Sequence, residues 1–289
     1  VITALVTMVS ASAVATTAGT ASAATPAAPA NSDALQAVTA AAATTSRGTG
    51  SVAVRLVPGA VYGQRQPAVR GTGTFDFAAG AGRMELRESS GREKVLFVPQ
   101  AIFVREPPPV SGASPLPAGK AWVSASLSEK PGTGSGLPQF VDQVEAVNAG
   151  FVLNEIKWGA IAAKPLGVEQ VGATVAREYG VTLDLHRAQS SATGSAAPAF
   201  SQVVGYQVES LPSKAKTTVE VRAHVWVAET GRVVQVEWSP PGSGVGTTNI
   251  RVSGLHTPVQ VSLPPTSQTV DVATLSPAGE QESGLGDIA

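Results

Sequence analysis

Cysteine is absent from this 289-residue chain, which excludes disulfides, thiolate metal sites and a cysteine nucleophile. Charge is scarce too: 14 % of residues are Asp, Glu, Lys or Arg, and the net charge is −1. The basic residues are scattered, so no stripe marks a nucleic-acid or anionic-lipid surface. Only three histidines occur, His186, His224 and His256, with none of the close pairs that a zinc site needs, and no metal site is expected. Serines are plentiful, yet no G-x-S-x-G elbow exists to anchor a hydrolase triad. The stretch Gly71 to Phe75, GTGTF, precedes no helix and lacks the lysine of a phosphate-binding loop. Glu209, Glu220 and Glu237 are the carboxylates available for pairing, but Glu220 and Glu237 fall at exposed strand parities and read as cross-strand charges. No catalytic residue, metal or cofactor is therefore expected.

The amino terminus also lacks charge, the first charged residue being Asp33. Val1 to Val14 is an apolar run diluted by Ser and Thr, and small residues follow to Ala21-Ser22-Ala23 before Ala24. This matches the hydrophobic region and cleavage site of a secretory signal peptide. The basic segment that should precede it is missing and the first residue is Val, so the start is expected upstream. A membrane anchor is the competing reading, disfavoured because Ser, Thr and Ala make a poor bilayer span. The chain divides on this basis into a signal-like segment and linker (1–30), one domain (31–275) and a disordered tail (276–289).

What is present is one-sided strand. Thr217 to Trp238 reads TTVEVRAHVWVAETGRVVQVEW. Val219, Val221, Ala223, Val225 and Val227 alternate with Glu220, Arg222, His224 and Trp226, the period of a strand with one buried face. Ala228 to Gly231 supplies the loop, with Gly231 free to take a positive φ. The return strand places Val234, Val236 and Trp238 on one side and Gln235 and Glu237 on the other. Further strands are expected at 51–57, 71–77, 83–88, 94–98, 101–105, 120–127, 173–185, 245–252 and 259–263. Helices are expected from Ser32 or Asp33 to Thr44 and over 137–147, with a weak one before Tyr206 after a flexible insert at 189–198. Phe151 to Trp158 fits either state. Pro58 to Pro67 and the proline-rich stretch through Gly119 read as loops. About ten strands arriving as hairpins, with two or three helices, predict an α+β, mostly β fold: a large curved antiparallel sheet wrapped around its helices.

Face alternation selects the residues that line the concave side. They are Val52, Val54 and Leu56; Phe75 and Phe77; Met84 and Leu86; Val219, Val221 and Val225; and Val234, Val236 and Trp238. Two readings of these residues stay open. They form a plain core against the helices, or they line a cavity that a hydrophobic ligand fills.

The ordered series DALQAVTAAAATT (33–45), GTGTFDFAAGAGRMEL (71–86), KAWVSASL (120–127), GATVAREYGVTLDL (172–185), TVEVRAHVWVAETGRVVQVEW (218–238) and TPVQVSLPP (257–265) resembles the LolA/LolB-like envelope carriers. Within them it resembles the actinobacterial LppX/LprG type of lipid-binding lipoprotein. The resemblance implies an incomplete β-barrel of about eleven strands and an apolar face that holds acyl chains or lipidated partners outside the cytoplasm. It carries no catalytic residue across. The chain departs from it in lacking the lipobox cysteine, so peripheral or no membrane anchoring is expected. On this resemblance the expected function is an exported, noncatalytic carrier of a lipid or acylated molecule. The alternative is an envelope sensor or regulatory domain that binds a protein partner, with Glu106 to Pro117 as a contact loop.

Overall fold

A computed structural model describes residues 30–57, 67–88, 91–105, 116–127, 147–194, 197–210, 219–239 and 246–275. The expected helix at 137–147, the contact loop as far as residue 115, the loop at 58–66, the signal-like segment and the tail lie outside the described residues, apart from Ala30 and Val147.

One sheet organises everything described. Its strands are β1 (Thr49–Val57), β2 (Val69–Asp76), β3 (Ala81–Glu88), β4 (Gly91–Val98), β5 (Ala101–Arg105), β6 (Trp122–Ser126), β7 (Ala160–Val171), β8 (Thr174–Asp184), β9 (Glu220–Ala228), β10 (Val233–Trp238), β11 (Thr247–Ser253) and β12 (Thr269–Asp271). The spatial order is β12-β6-β5-β4-β3-β2-β1-β11-β10-β9-β8-β7. Every pairing is antiparallel except the short parallel contact of β12 with β6. Chain neighbours pair from β1 to β6 and from β7 to β11, and two long-range contacts join distant segments, β1 beside β11 and β12 beside β6. β12 and β7 stand at opposite edges without meeting, so the barrel is incomplete.

Four helices among the described residues fill the curve: α1 (Ala30–Thr45), α2 (Ala149–Gly159), α3 (Leu185–Ser191) and α4 (Ala197–Ser210). α1 buries Ala34, Val38, Ala41, Ala42 and Thr45, one stripe at helical spacing, and packs mainly across β7 and also on β8 to β10. Its last residue fastens it to the sheet: the backbone N–H of Val233 donates to Thr45 Oγ1 at 2.9 Å. α2 packs between α1 and α3 and is buried on nearly all sides. The approach of α2 to α3 depends on Gly159, where a Cβ would lie 2.9 Å from both Ala188 Cβ and the Asp184 carbonyl oxygen.

The structure amends several sequence expectations. Phe151 to Trp158 is helical, started by Asn148, whose side chain accepts from the N–H groups of Gly150 and Phe151. β7 is absent from the expected strands, and it runs through Pro165 and Gly167, residues that break a central strand. The strand tolerates them because it is an edge strand with bulges at both sites where its register shifts. The insert at 189–198 is replaced in part by α3, which runs to Ser191. Residues 259–263 form no strand; they lie in an irregular segment bounded by Pro258 and Pro264 that leads to β12. Trp226 faces outward, as its parity requires, but is 6 % exposed, because Val171, Ala176 and Val234 close over it in a small second cluster.

Candidate ligand-binding face

Eleven of the thirteen residues selected by alternation join one continuous apolar cluster with the helices: Val52, Val54, Phe75, Phe77, Met84, Leu86, Val219, Val221, Val225, Val236 and Trp238. Leu56 is buried at the far end of β1 but lies off this cluster. Val234 is the residue that strict alternation misplaces. A bulge shifts the β10 register between Val233 and Gln235, so Val233 stays opposite Val227 while Gln235 moves opposite Trp226. Val233 therefore packs in the main cluster and Val234 packs against Trp226 on the outer side. No turn residue announces this bulge, so the sequence carried no sign of it.

The β2–β5 side of the face is built from rings. Phe75 and Phe77 stack with centroids 5.9 Å apart, and Phe97 tilts against Phe75 at 5.1 Å. Phe75 lies directly over its cross-strand partner Gly82, where a Cβ would come within 2.6 Å of the ring. Glycine at that position lets β2 and β3 approach closely and curl. These rings meet Ile102, Leu127 and the first turn of α2 around a pocket of about 20 Å³. Phe97, Ile102, Leu127, Phe151, Asn148 and Asn154 are pocket residues that the sequence selection missed. The 94–98 and 101–105 alternation would have found Phe97 and Ile102; the α2 residues depended on the unresolved state of 151–158.

Two polar side chains of α2 stand out in this apolar setting. Asn154 is 8 % exposed, lines the pocket and makes no side-chain hydrogen bond among the described residues. Glu155 is completely buried, and neither carboxylate oxygen has a hydrogen-bond partner. Burial raises its pKa from 4.5 to about 8, so the group is held neutral around pH 7. Helical spacing puts it on the stripe of Phe151 and Trp158, which pack edge-on against Phe200 of α4 at 6.3 and 4.8 Å. Next to it Lys157 sits 4.6 Å from the Trp158 ring centroid, and its pKa is lowered by burial and then by the charge of Arg47.

The outer face is polar. His224 Nδ1 lies 2.6 Å from Glu178 Oε1 across the β8–β9 pair, the solvent-side placement its parity predicts. Glu237 is cross-strand to His224, and its Oε2 accepts from Asn249 Nδ2 at 3.4 Å. A groove of about 320 Å³ at the ends of β9, β10 and β11 is lined by Glu220, Arg222, His224, Glu237, Ser239 and Thr247 among others. Among the described residues no three His, Asp or Glu side chains converge as a metal site, and no helix is long and apolar enough to cross a membrane.

No family model matches the chain, and no curated protein matches its sequence. Among solved structures it is similar to the crystal structure of LprF from Mycobacterium bovis, at 14 % identity and a TM-score of 0.41, over 80 % of this chain and 97 % of that one. It is similar to the Mycobacterium tuberculosis lipoprotein LppX at 15 % identity and a TM-score of 0.33, over 80 % and 100 % of the two chains. A LolA superfamily protein from Nitrosomonas europaea is similar at 10 % identity and a TM-score of 0.29, over 80 % and 94 %.

Proposed function

We propose that this protein is an exported, noncatalytic carrier that binds a lipid or acylated molecule between the β2–β5 face and α2. The observation that carries the reading is the ring-walled pocket at the amino end of α2, where sheet and helix do not fully close. Its present space, about 20 Å³, holds roughly one small group. An acyl chain enters only if α2 moves away from the sheet. The buried carboxyl of Glu155 favours that step, since it gives up solvation in the closed state and neither oxygen gains a hydrogen-bond partner. Binding strength then comes from burial, at about 0.8 kcal/mol per CH₂. The signal-like composition before residue 24 supports an extracytoplasmic location. Native mass spectrometry of the purified protein, followed by organic extraction, tests the reading. A stoichiometric added mass that extracts as lipid is the expected result. A bare mass together with no uptake of added lipids would overturn it.

A second reading, an envelope domain that binds a protein partner, is favoured by the β7–β8 hairpin. There Leu166, Val168 and Val175 are 48, 59 and 48 % exposed, more apolar surface than an idle hairpin needs. This reading predicts a complex recovered from envelope extracts and lost in Val168→Lys. Lipid uptake by that variant should be unchanged. Recovery of the same complex with the variant would remove the hairpin from consideration.

A further inference from the structure

The pocket at the amino end of α2 has a chemical character more specific than "apolar". Its walls are Phe75, Phe77, Phe97 and Phe151. Asn154 contributes the free polar group. Asn148, the other buried amide of the lining, has a capping duty that fixes its side chain, since its Oδ1 accepts from the N–H groups of Gly150 at 3.0 Å and Phe151 at 3.3 Å. The helix terminus is thereby satisfied from within and offers no free anion seat at those two amides. Asp76, also in the lining, accepts from the Ala79 N–H at 2.9 Å through Oδ1. No Lys or Arg lines the pocket among the described residues. A carboxylate or phosphate would therefore meet an acidic neighbour and no cation. A neutral acceptor would meet the Asn154 amide, which as a side chain offers two N–H donors and an acceptor.

We propose that this pocket is the seat of the ester carbonyl of a neutral acyl lipid, with Asn154 Nδ2 donating to the carbonyl oxygen. The inference rests on the carrier reading and names the ligand class of that site. The present space accepts a group of carbonyl size, and the acyl chain lies among the phenylalanine rings once α2 shifts. Buried amides rarely stand unpaired. A ligand carbonyl supplies the partner that the protein does not.

Equilibrium binding of radiolabelled methyl laurate, dodecane and laurate to the full chain at pH 8 tests this. The ester should bind about tenfold more tightly than the alkane, the size of one hydrogen bond gained, and more tightly than laurate. Asn154→Leu should bring the ester down to the level of the alkane without weakening the alkane. Asn154→Asp keeps the shape, loses the donor and should weaken the ester still further. Circular dichroism checks that both variants fold. In the unaltered protein, added methyl laurate should shift the Asn154 side-chain amide resonances, a readout independent of any variant. Tight laurate binding, an unshifted amide, or full ester affinity in Asn154→Leu would each overturn the inference while leaving the carrier reading intact. Failure of the unaltered protein to bind any of the three would sink both.

Discussion

Over β7 to β10 the inward residues mix Ala160, Ala163 and Ala223 with larger side chains such as Leu183 and Trp238, and α1 meets this side with the small residues Ala34, Ala41 and Ala42. Over β2 to β5 the inward side chains are Phe75, Phe77, Met84, Leu86 and Phe97, and the facing helix is α2. Small residues let backbones approach until no space remains. Rings keep helix and sheet apart and leave a gap wherever their flat faces fail to interlock. α1 is also pinned to the sheet by the Thr45–Val233 hydrogen bond. α2 carries Glu155 into the core with no hydrogen-bond partner for either carboxylate oxygen. The difference teaches that the sheet is closed and pinned on the α1 side, whereas the α2 side keeps a gap, the place where the proposed ligand would enter.

Three measurements sharpen or break this contrast. The largest effect is expected from Phe75→Ala, which opens the centre of the ring cluster and should cost about 4 kcal/mol in denaturant unfolding. A cost under about 1 kcal/mol would mean the rings are not the structural wall described. Next comes Glu155. Its pKa is raised to about 8 in the folded chain by burial, so the stability linked to it is fully present below the unfolded value near 4.5. That stability is lost as pH rises through 8. Unfolding free energy should fall by roughly 3 kcal/mol between pH 5 and pH 8, and Glu155→Gln should flatten that slope. An equal slope in the variant would assign the pH dependence to other groups. The smallest test compares added volume on the two sides. Ala41→Leu overfills the α1 contact and should cost about 2 kcal/mol. Leu127→Phe adds volume at the pocket wall and should cost less, under about 1 kcal/mol. Equal penalties would erase the distinction between a tight half and a loose one.

Face alternation read the strands well because period two is a local signal. Phe75, Phe77, Met84, Leu86, Val221 and Val225 all turn inward as their parity requires. It failed at Val234, because a bulge depends on how two strands register and leaves no mark in one of them. It also failed at β7, since Pro165 and Gly167 are breakers in a central strand and tolerable at an edge, and position in the sheet is a tertiary fact. The pocket was half legible. Its sheet wall followed from alternation, whereas its α2 wall did not, because a short apolar run such as 151–158 suits a buried helix or a buried strand equally.

The sequence by itself determined that this is a mostly β chain with a one-sided sheet, no thiol chemistry and a central β9–β10 hairpin closed at Gly231, which takes φ +71°. These follow from composition, from period two and from a turn that needs a positive φ, all of which act within a few residues. Tertiary structure alone decided that β1 closes on β11, that Trp226 gains a cover on the outer face, and that the Glu155 carboxyl ends in the interior without a hydrogen-bond partner. The physical reason is that burial and hydrogen-bond satisfaction are properties of neighbours brought together from distant parts of the chain, and no local pattern records which neighbours those are.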